Sequence, residues 1–218
     1  MTTALQAVIF DLDGVLIDSE ICYITKLAQW VEADFHKTVP MECLLPIVGS
    51  SGPAHWLAVR PFLPSEWGRE DYLKAYRAFL AQNPIHYDQL PFPDVLPTLR
   101  TLKELGLRLA LATSSPRDKV DQILVECGFT GFFEVILTRD DVENCKPDPE
   151  IYRKTLAGLS LPPQACLVVE DSAIGIAAAK AAGIPVAARR EERYYVDQSQ
   201  ADHLLDRIGD LPQLLQSL

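Results

Sequence analysis

The chain has 218 residues, of which 48% are apolar and 23% charged, with a formal net charge of −10. That length suits one sizeable core, or a core with a small appended domain. The negative balance argues against nucleic acid and anionic membrane surfaces as partners, and no apolar stretch reaches the roughly 20 residues of a membrane span.

In chain order, "LQAVIF" (5–10) is the first predicted strand. It is apolar without alternation, as expected of a parallel strand covered on both faces. It stops abruptly at "DLDG", which carries Asp11, Asp13 and Gly14. From residue 18 to residue 90 no buried-strand pattern follows. Helix-like stretches stand there instead: "SEICYITKLAQWVEADF", a piece over residues 41–60, and "EWGREDYLKAYRAFLAQ". A structureless insert of that length is improbable in a compact domain. The expected organisation is therefore an α/β core made of residues 1–17 and 91–218, with a helical cap of residues 18–90 inserted after the acidic loop. Pro91 and Pro93 mark the return to the core.

Strands and helices then alternate. "PDVLPTLRTLKELG" reads as a helix stopped by Gly106, and "LRLALA" (107–112) as a strand. "SSPRDKVDQILVECG" reads as a helix with Ser115 as N-cap, Pro116 in the first turn and Gly128 as stop. "FEVILT" (133–138) is the next strand. "DPEIYRKTLAG" repeats the helix device with Asp148, Pro149 and Gly158. "ACLVVE" (165–170), the helix "SAIGIAAAKAAG" and the strand "IPVAA" (184–188) complete the series. This βαβα order predicts a doubly wound, Rossmann-like parallel sheet, in which ligands sit at the carboxyl ends of the strands. The five cysteines (22, 43, 127, 145 and 166) are scattered without a CxxC pair, which predicts reduced thiols in a cytoplasmic protein.

The residues suited to chemistry stand at those strand ends. Asp11 and Asp13 follow the first strand, and Thr113, Ser114 and Ser115 follow "LALA". Lys146 precedes a helix start, and Glu170 and Asp171 end "LVVED". Four acids converging on one sheet edge need a cation among them. Carboxylate oxygens without His or Cys favour Mg²⁺ over zinc. Hydroxyls, a lysine and Mg²⁺ together suit a phosphoryl group, whose oxygens need donors and positive charge.

"DLDGVLIDSE", "ATSS", "KPDPEIY" and "VEDSAIGIAAAKAAG" together resemble, in order and spacing, the four motifs of the haloacid dehalogenase superfamily. The subgroup resembled has a small helical cap after the first motif and includes β-phosphoglucomutase and the sugar-phosphate and phosphoglycolate phosphatases. The resemblance implies that Asp11 is a nucleophile forming an aspartyl-phosphate and that Asp13 is the general acid/base. It implies that Thr113, with Ser114 beside it, binds phosphate, and that Lys146 pairs with both the nucleophile and the phosphoryl oxygens. It implies a magnesium site of Asp11, the main-chain carbonyl of Asp13, Glu170 and Asp171.

The expected function is a Mg²⁺-dependent phosphatase acting on a small organic phosphate ester such as a sugar phosphate, as a monomer. A sugar phosphomutase is the nearest alternative. Mutases of this type carry a KGxSR-like stretch in the cap, whereas "VGSSG" (48–52) stands here, with Val48 and Gly52 where the cations would be. Tyr23 also replaces a histidine common near the start of the mutase cap. A dehalogenase is disfavoured by Asp13 and the Glu170–Asp171 pair, and a phospho-receiver domain by the early DxD and the long insert. Asp18 and Ser19 read as helix capping, Arg117 as a surface residue and Cys145 as packing. His55 and Trp56 read as surface or cap core, with the substrate side as the alternative.

Overall fold

A computed structural model describes residues 4–49 and 52–217. The strands are β1 (Ala7–Phe10), β2 (Arg108–Ala112), β3 (Val135–Leu137), β4 (Cys166–Glu170), β5 (Val186–Arg189) and β6 (His203–Leu205). The helices in chain order are α1 (Ser19–Phe35), α2 (Met41–Leu44), α3 (Gly52–Val59), α4 (Arg69–Gln82), α5 (Val95–Glu104), α6 (Arg117–Glu126), α7 (Glu150–Leu159), α8 (Ala173–Ala181) and α9 (Leu211–Gln216). Two compact units result. One comprises Met1–Asp18 with Tyr87–Leu218, and the other Ser19–His86.

The first unit holds a six-stranded, all-parallel sheet in the order β3-β2-β1-β4-β5-β6. β1 is central because its four residues are apolar and wholly buried, which suits a strand covered on both faces. Phe10 pairs with Leu111 on one side and Val169 on the other. The residues just past that level, namely Asp11, Thr113 and Glu170 with Asp171, therefore share one edge. Strand order reverses beside β1, which is where open α/β sheets bind ligands. The core below includes Ile9, Ala110 and Val168 from the sheet with Tyr152 and Ile176 from the helices. Ala178 and Ala179 of α8 are fully buried, so the small-residue helix lies close against the sheet.

Four local readings are corrected. Gly158 does not end its helix: α7 continues to Leu159, and Ser160 takes the left-handed conformation with φ 53°. The N-cap of α6 is Pro116, not Ser115. Cys145 is exposed and does not pack. β6 has no counterpart among the expected strands, being a three-residue edge strand with little pattern to read.

The second unit is helical. Its core gathers Ile24, Leu27, Trp30 and Val31 of α1 with Val59 and Tyr72. Trp30 organises it: Phe35, Tyr72 and Tyr76 lie 5.4–5.6 Å from its ring, and its indole N–H donates to Asp34 at 2.7 Å. Trp56 packs on Tyr72 at 5.7 Å, within this core. The chain leaves and re-enters the first unit through adjacent segments, since Asp18 N–H donates to the Leu90 carbonyl and Phe92 N–H to that of Leu16. Of "VGSSG", Ser50 and Ser51 lie outside the described residues.

Candidate active site

β1 runs into a tight loop in which the Gly14 N–H donates to the Ile17 carbonyl and the Leu16 N–H to that of Leu12. Leu12, Val15, Leu16 and Ile17 are wholly buried, so the loop is anchored by its apolar residues and delivers Asp11 and Asp13 to the sheet edge. Gly14 has φ +75°, and a Cβ there would fall 1.9 Å from Asp171 Oδ2. A side chain at that position would be strained by the backbone and would displace a carboxylate of the site.

Lys146 reaches the sheet from the segment before α7. Its ammonium donates to Asp11 Oδ1 at 2.7 Å, Glu170 Oε1 at 2.6 Å and the Ala112 carbonyl at 2.9 Å. Tyr152 of α7 donates its hydroxyl to Glu170 Oε1 at 2.7 Å, and its ring lies 5.0 Å from the ammonium. Glu170 Oε2 accepts from the Asp171 N–H, the Ser172 N–H and the Ser172 hydroxyl. Five donors thus serve one fully buried carboxylate. α8 passes so close that a Cβ at Gly175 would lie 1.9 Å from Glu170 Oε1.

Oxygens of Asp11, Glu170 and Asp171 lie within 4.8 Å of one another, and all three residues are buried. Three carboxylates against the single Lys146 ammonium leave negative charge in a dry place, where an uncompensated charge is costly. The titration follows from this. Burial pushes Asp11 up to about 7; Lys146 pulls it down, but Glu170 and Asp13 add to the rise. Burial also opposes ionisation of Glu170, yet Lys146 and the donors from Tyr152 and Ser172 hold it below the usual carboxylate range. Lys146 itself is held well above its ordinary value by Asp11 and Glu170, against the effect of burial. The one ammonium is shared between Asp11 and Glu170, and Asp11, raised by its burial, is left wanting a proton or a cation. An oxygen-only set with surplus negative charge fits a hard divalent ion.

Asp13 lies outside this triad. Its carboxylate accepts from the Ser115 hydroxyl at 2.5 Å and from Lys119 at 3.1 and 3.2 Å. Thr113 is buried at the end of β2, and its hydroxyl oxygen accepts from the Ser115 N–H at 3.1 Å. Ser114 beside it is exposed. The structure therefore brings Asp11, Lys146, Glu170 and Asp171 into direct proximity and gives Asp13 a separate set of partners. Four side chains here had no role in the sequence reading: Lys119, Tyr152, Ser172 and Gln198. The last donates to the main-chain carbonyls of Asp171 and Arg189, both at 2.7 Å. None of them had a legible signal; Lys119 follows Ser115 by four residues, but Ser115 lies before the start of α6 and shares no helical face with it. Asp18 is gripped by Arg193 at 2.7 and 2.9 Å instead of serving only as a helix cap. Arg117 is only partly exposed and pairs with Asp141 at 2.7 Å.

The sequence profile of the haloacid dehalogenase-like hydrolases matches residues 8–189. The chain belongs to that family. Pyrophosphatase PpaX of Bacillus cereus strain B4264 is 30% identical to it over 219 residues, with 98% of each chain covered. An uncharacterized protein of Lacticaseibacillus casei from the fgs 3′ region is 36% identical, with 96% of each covered. A crystal structure from Thermotoga maritima, provisionally assigned as a β-phosphoglucomutase, superposes with a TM-score of 0.84 at 28% identity, over 98% of this chain and 100% of that one. The parallel sheet with flanking helices is the family's fold, and the chain is a phosphatase-type enzyme of it. Among the described residues, no helix is long and apolar enough to cross a membrane.

Proposed function

We propose that the protein hydrolyses a small phosphate monoester in two steps at Asp11, with Mg²⁺ as its cofactor and the helical unit as a cap that selects the substrate. The observation that carries this is Lys146 bridging Asp11 and Glu170 inside a buried acidic triad. In the first step an Asp11 oxygen attacks phosphorus while the leaving oxygen takes a proton from Asp13. In the second, Asp13 removes a proton from water, whose oxygen attacks the aspartyl-phosphate and releases inorganic phosphate and Asp11. Splitting the displacement replaces one difficult step by two easier ones.

Lys146 offsets the repulsion between an attacking carboxylate and a phosphate dianion. Thr113 and Ser114 supply hydroxyls to the phosphoryl oxygens. Asp11, Asp171 and the main-chain carbonyl of Asp13 would hold Mg²⁺, with Glu170 completing the acidic shell through Lys146. The ion supplies charge neutralisation at the phosphoryl oxygens when bound. A screen of phosphorylated metabolites with Mg²⁺ tests the reading. Pyrophosphate belongs in the panel because of the PpaX similarity. Release of phosphate from none of them would refute it.

Two outcomes follow from the site as described. The first concerns the metal. Asp171→Ala is expected to weaken Mg²⁺ binding, with part of the activity restored by excess Mg²⁺, and chelation to inactivate the wild type reversibly. Because Asp11 holds its proton below about pH 7 without metal, Mg²⁺ must displace that proton. Apparent Mg²⁺ affinity then falls by up to roughly tenfold per unit below that pH. Calorimetric titration at pH 6 and pH 8 checks the sign; equal affinity at both would contradict it.

The second separates phosphatase from mutase. A mutase must hold a bisphosphate intermediate by its distal phosphate. Val48 and Gly52 carry no charge, and Arg60 is committed to the carbonyls of Pro64 and Ser65 and to the face of Trp56, which leaves Lys74 and Arg77 of α4 as the alternative source of charge. Losing two charge-assisted contacts, each worth roughly 1.5–3 kcal/mol, weakens retention of the intermediate. With β-glucose 1-phosphate and a trace of the 1,6-bisphosphate, free phosphate is expected as the main product. Glucose 6-phosphate forming faster would assign a mutase.

A further inference from the structure

We propose that Lys119, acting with Ser115, is a positioning residue for Asp13. The inference rests on the reading of Asp13 as the proton-transfer group. Lys119 Nζ donates to Asp13 Oδ1 at 3.1 Å, to Oδ2 at 3.2 Å and to the Ser115 hydroxyl oxygen at 2.9 Å. The Ser115 hydroxyl in turn donates to Asp13 Oδ2 at 2.5 Å. The three groups close a ring in which both carboxylate oxygens are engaged.

Isolated exposed ion pairs are mostly incidental. This one is different in two respects. The side chains are largely withdrawn from solvent, at 22% exposure for Lys119 and 13% for Asp13, and a buried serine forms the third corner. The two lysines at the sheet edge also divide the acids between them, Lys146 taking Asp11 and Glu170 and Lys119 taking Asp13.

An aspartate side chain has two torsions. A donor fork on both oxygens fixes χ2, and the second donor from Ser115 fixes the direction in which the carboxylate leaves the loop. Proton transfer requires the donor and acceptor atoms within hydrogen-bond reach, and a misplacement of about 1 Å costs on the order of 100-fold. Ser115 lies in the connection between β2 and α6, and Lys119 in the first turn of α6. The helix start thus serves as a mount for an acid carried by a loop more than a hundred residues away in sequence.

The test uses the full chain with Mg²⁺ and two probes, phenyl phosphate and p-nitrophenyl phosphate, in single-turnover conditions. Lys119→Met is expected to lower the phenyl phosphate rate by about 10- to 100-fold. The better leaving group needs less proton assistance, so p-nitrophenyl phosphate loses markedly less. Inhibition by inorganic phosphate stays unchanged, because Lys119 does not hold the phosphoryl group. Lys119→Arg, which keeps the charge and the fork, restores part of the loss. In an Asp13→Asn background, Lys119→Met adds less than about twofold, since a residue acting through Asp13 has nothing left to act on. A crystal structure of Lys119→Met shows Asp13 turned away from the rotamer seen here.

Equal losses on both probes, full additivity with Asp13→Asn, or weakened phosphate inhibition would each overturn the proposal. If wild type is active and Asp13→Asn shows the leaving-group dependence while Lys119→Met does not, only the role of Lys119 fails. If wild type releases phosphate from neither probe nor any metabolite of the panel, the phosphatase reading fails and takes this one with it.

Discussion

Asp11→Asn is expected to abolish turnover, by on the order of 10⁴-fold or more, as loss of a covalent nucleophile does. The amide matches the carboxylate in shape and keeps an oxygen to accept from Lys146, which remains paired with Glu170 at 2.6 Å. What it lacks is a nucleophilic lone pair that a phosphoryl group can trap. The fold should survive. In metal-free wild type the Asp11 carboxyl is raised from 3.8 to about 7, so its ionised form is disfavoured by folding. The sign follows: the cost is absent below the unfolded value and fully present above about pH 7. Asn carries no such cost, so the melting temperature in chelator at pH 8 should not fall below that of wild type. Because Asp11 is also a proposed metal ligand, activity alone is ambiguous. Acid quenching during turnover separates the roles: wild type yields a phosphorylated protein and the variant none, even at saturating Mg²⁺. A phosphorylated Asp11→Asn protein would remove Asp11 from the nucleophile role.

How much of this was legible in the sequence depended on how far apart the interacting residues are and what else they can do locally. Asp11, Thr113, Glu170 and Asp171 were legible because a parallel sheet collects strand ends on one edge, and strand ends can be read from where apolar runs stop; Lys146, nine residues past β3, was legible only through the motif before α7. The apolar runs of β1, β2 and β4 had few alternatives, being uninterrupted and bounded by polar residues. β6 escaped because His203–Leu205 holds only two apolar residues between polar flanks, whereas β3, equally short, lies in the longer apolar run "FEVILT". Ser115 was misassigned for a physical reason: a serine before a proline-started helix commonly accepts from that helix's first N–H groups, whereas here its hydroxyl donates to Asp13 and accepts from Lys119. Lys119 looks like any solvated lysine on an amphipathic helix until the sheet brings the DxD loop beside it. The close approaches at Gly14 and Gly175 are likewise tertiary facts. Each glycine reads as a turn or a small helix residue, and only the folded chain puts Asp171 and Glu170 within 2 Å of the missing Cβ.

Asp13→Asn should leave the first chemical step slow for poor leaving groups and the second step slow for every substrate. Deleting a general acid or base typically costs ~10²–10⁴-fold. In phosphoryl transfer to Asp11, an alkoxide or phenolate needs the proton, whereas p-nitrophenolate leaves almost unaided. In hydrolysis of the aspartyl-phosphate the nucleophile is the same water whichever substrate was used, so the loss there is common to all. The variant should therefore release p-nitrophenolate in a burst of one equivalent per enzyme and then stall, with phosphorylated Asp11 accumulating. Phenyl phosphate should give no burst. Asparagine keeps one acceptor for Lys119 and Ser115, so the fold and the loop should be retained. The burst also separates the enzyme from a receiver-type domain: wild type turns over continuously and only the variant stops at one equivalent. A wild type that itself stopped at one equivalent would make the protein a phospho-acceptor. An Asp13→Asn variant with equal losses on both substrates and no burst would deny Asp13 the leaving-group role.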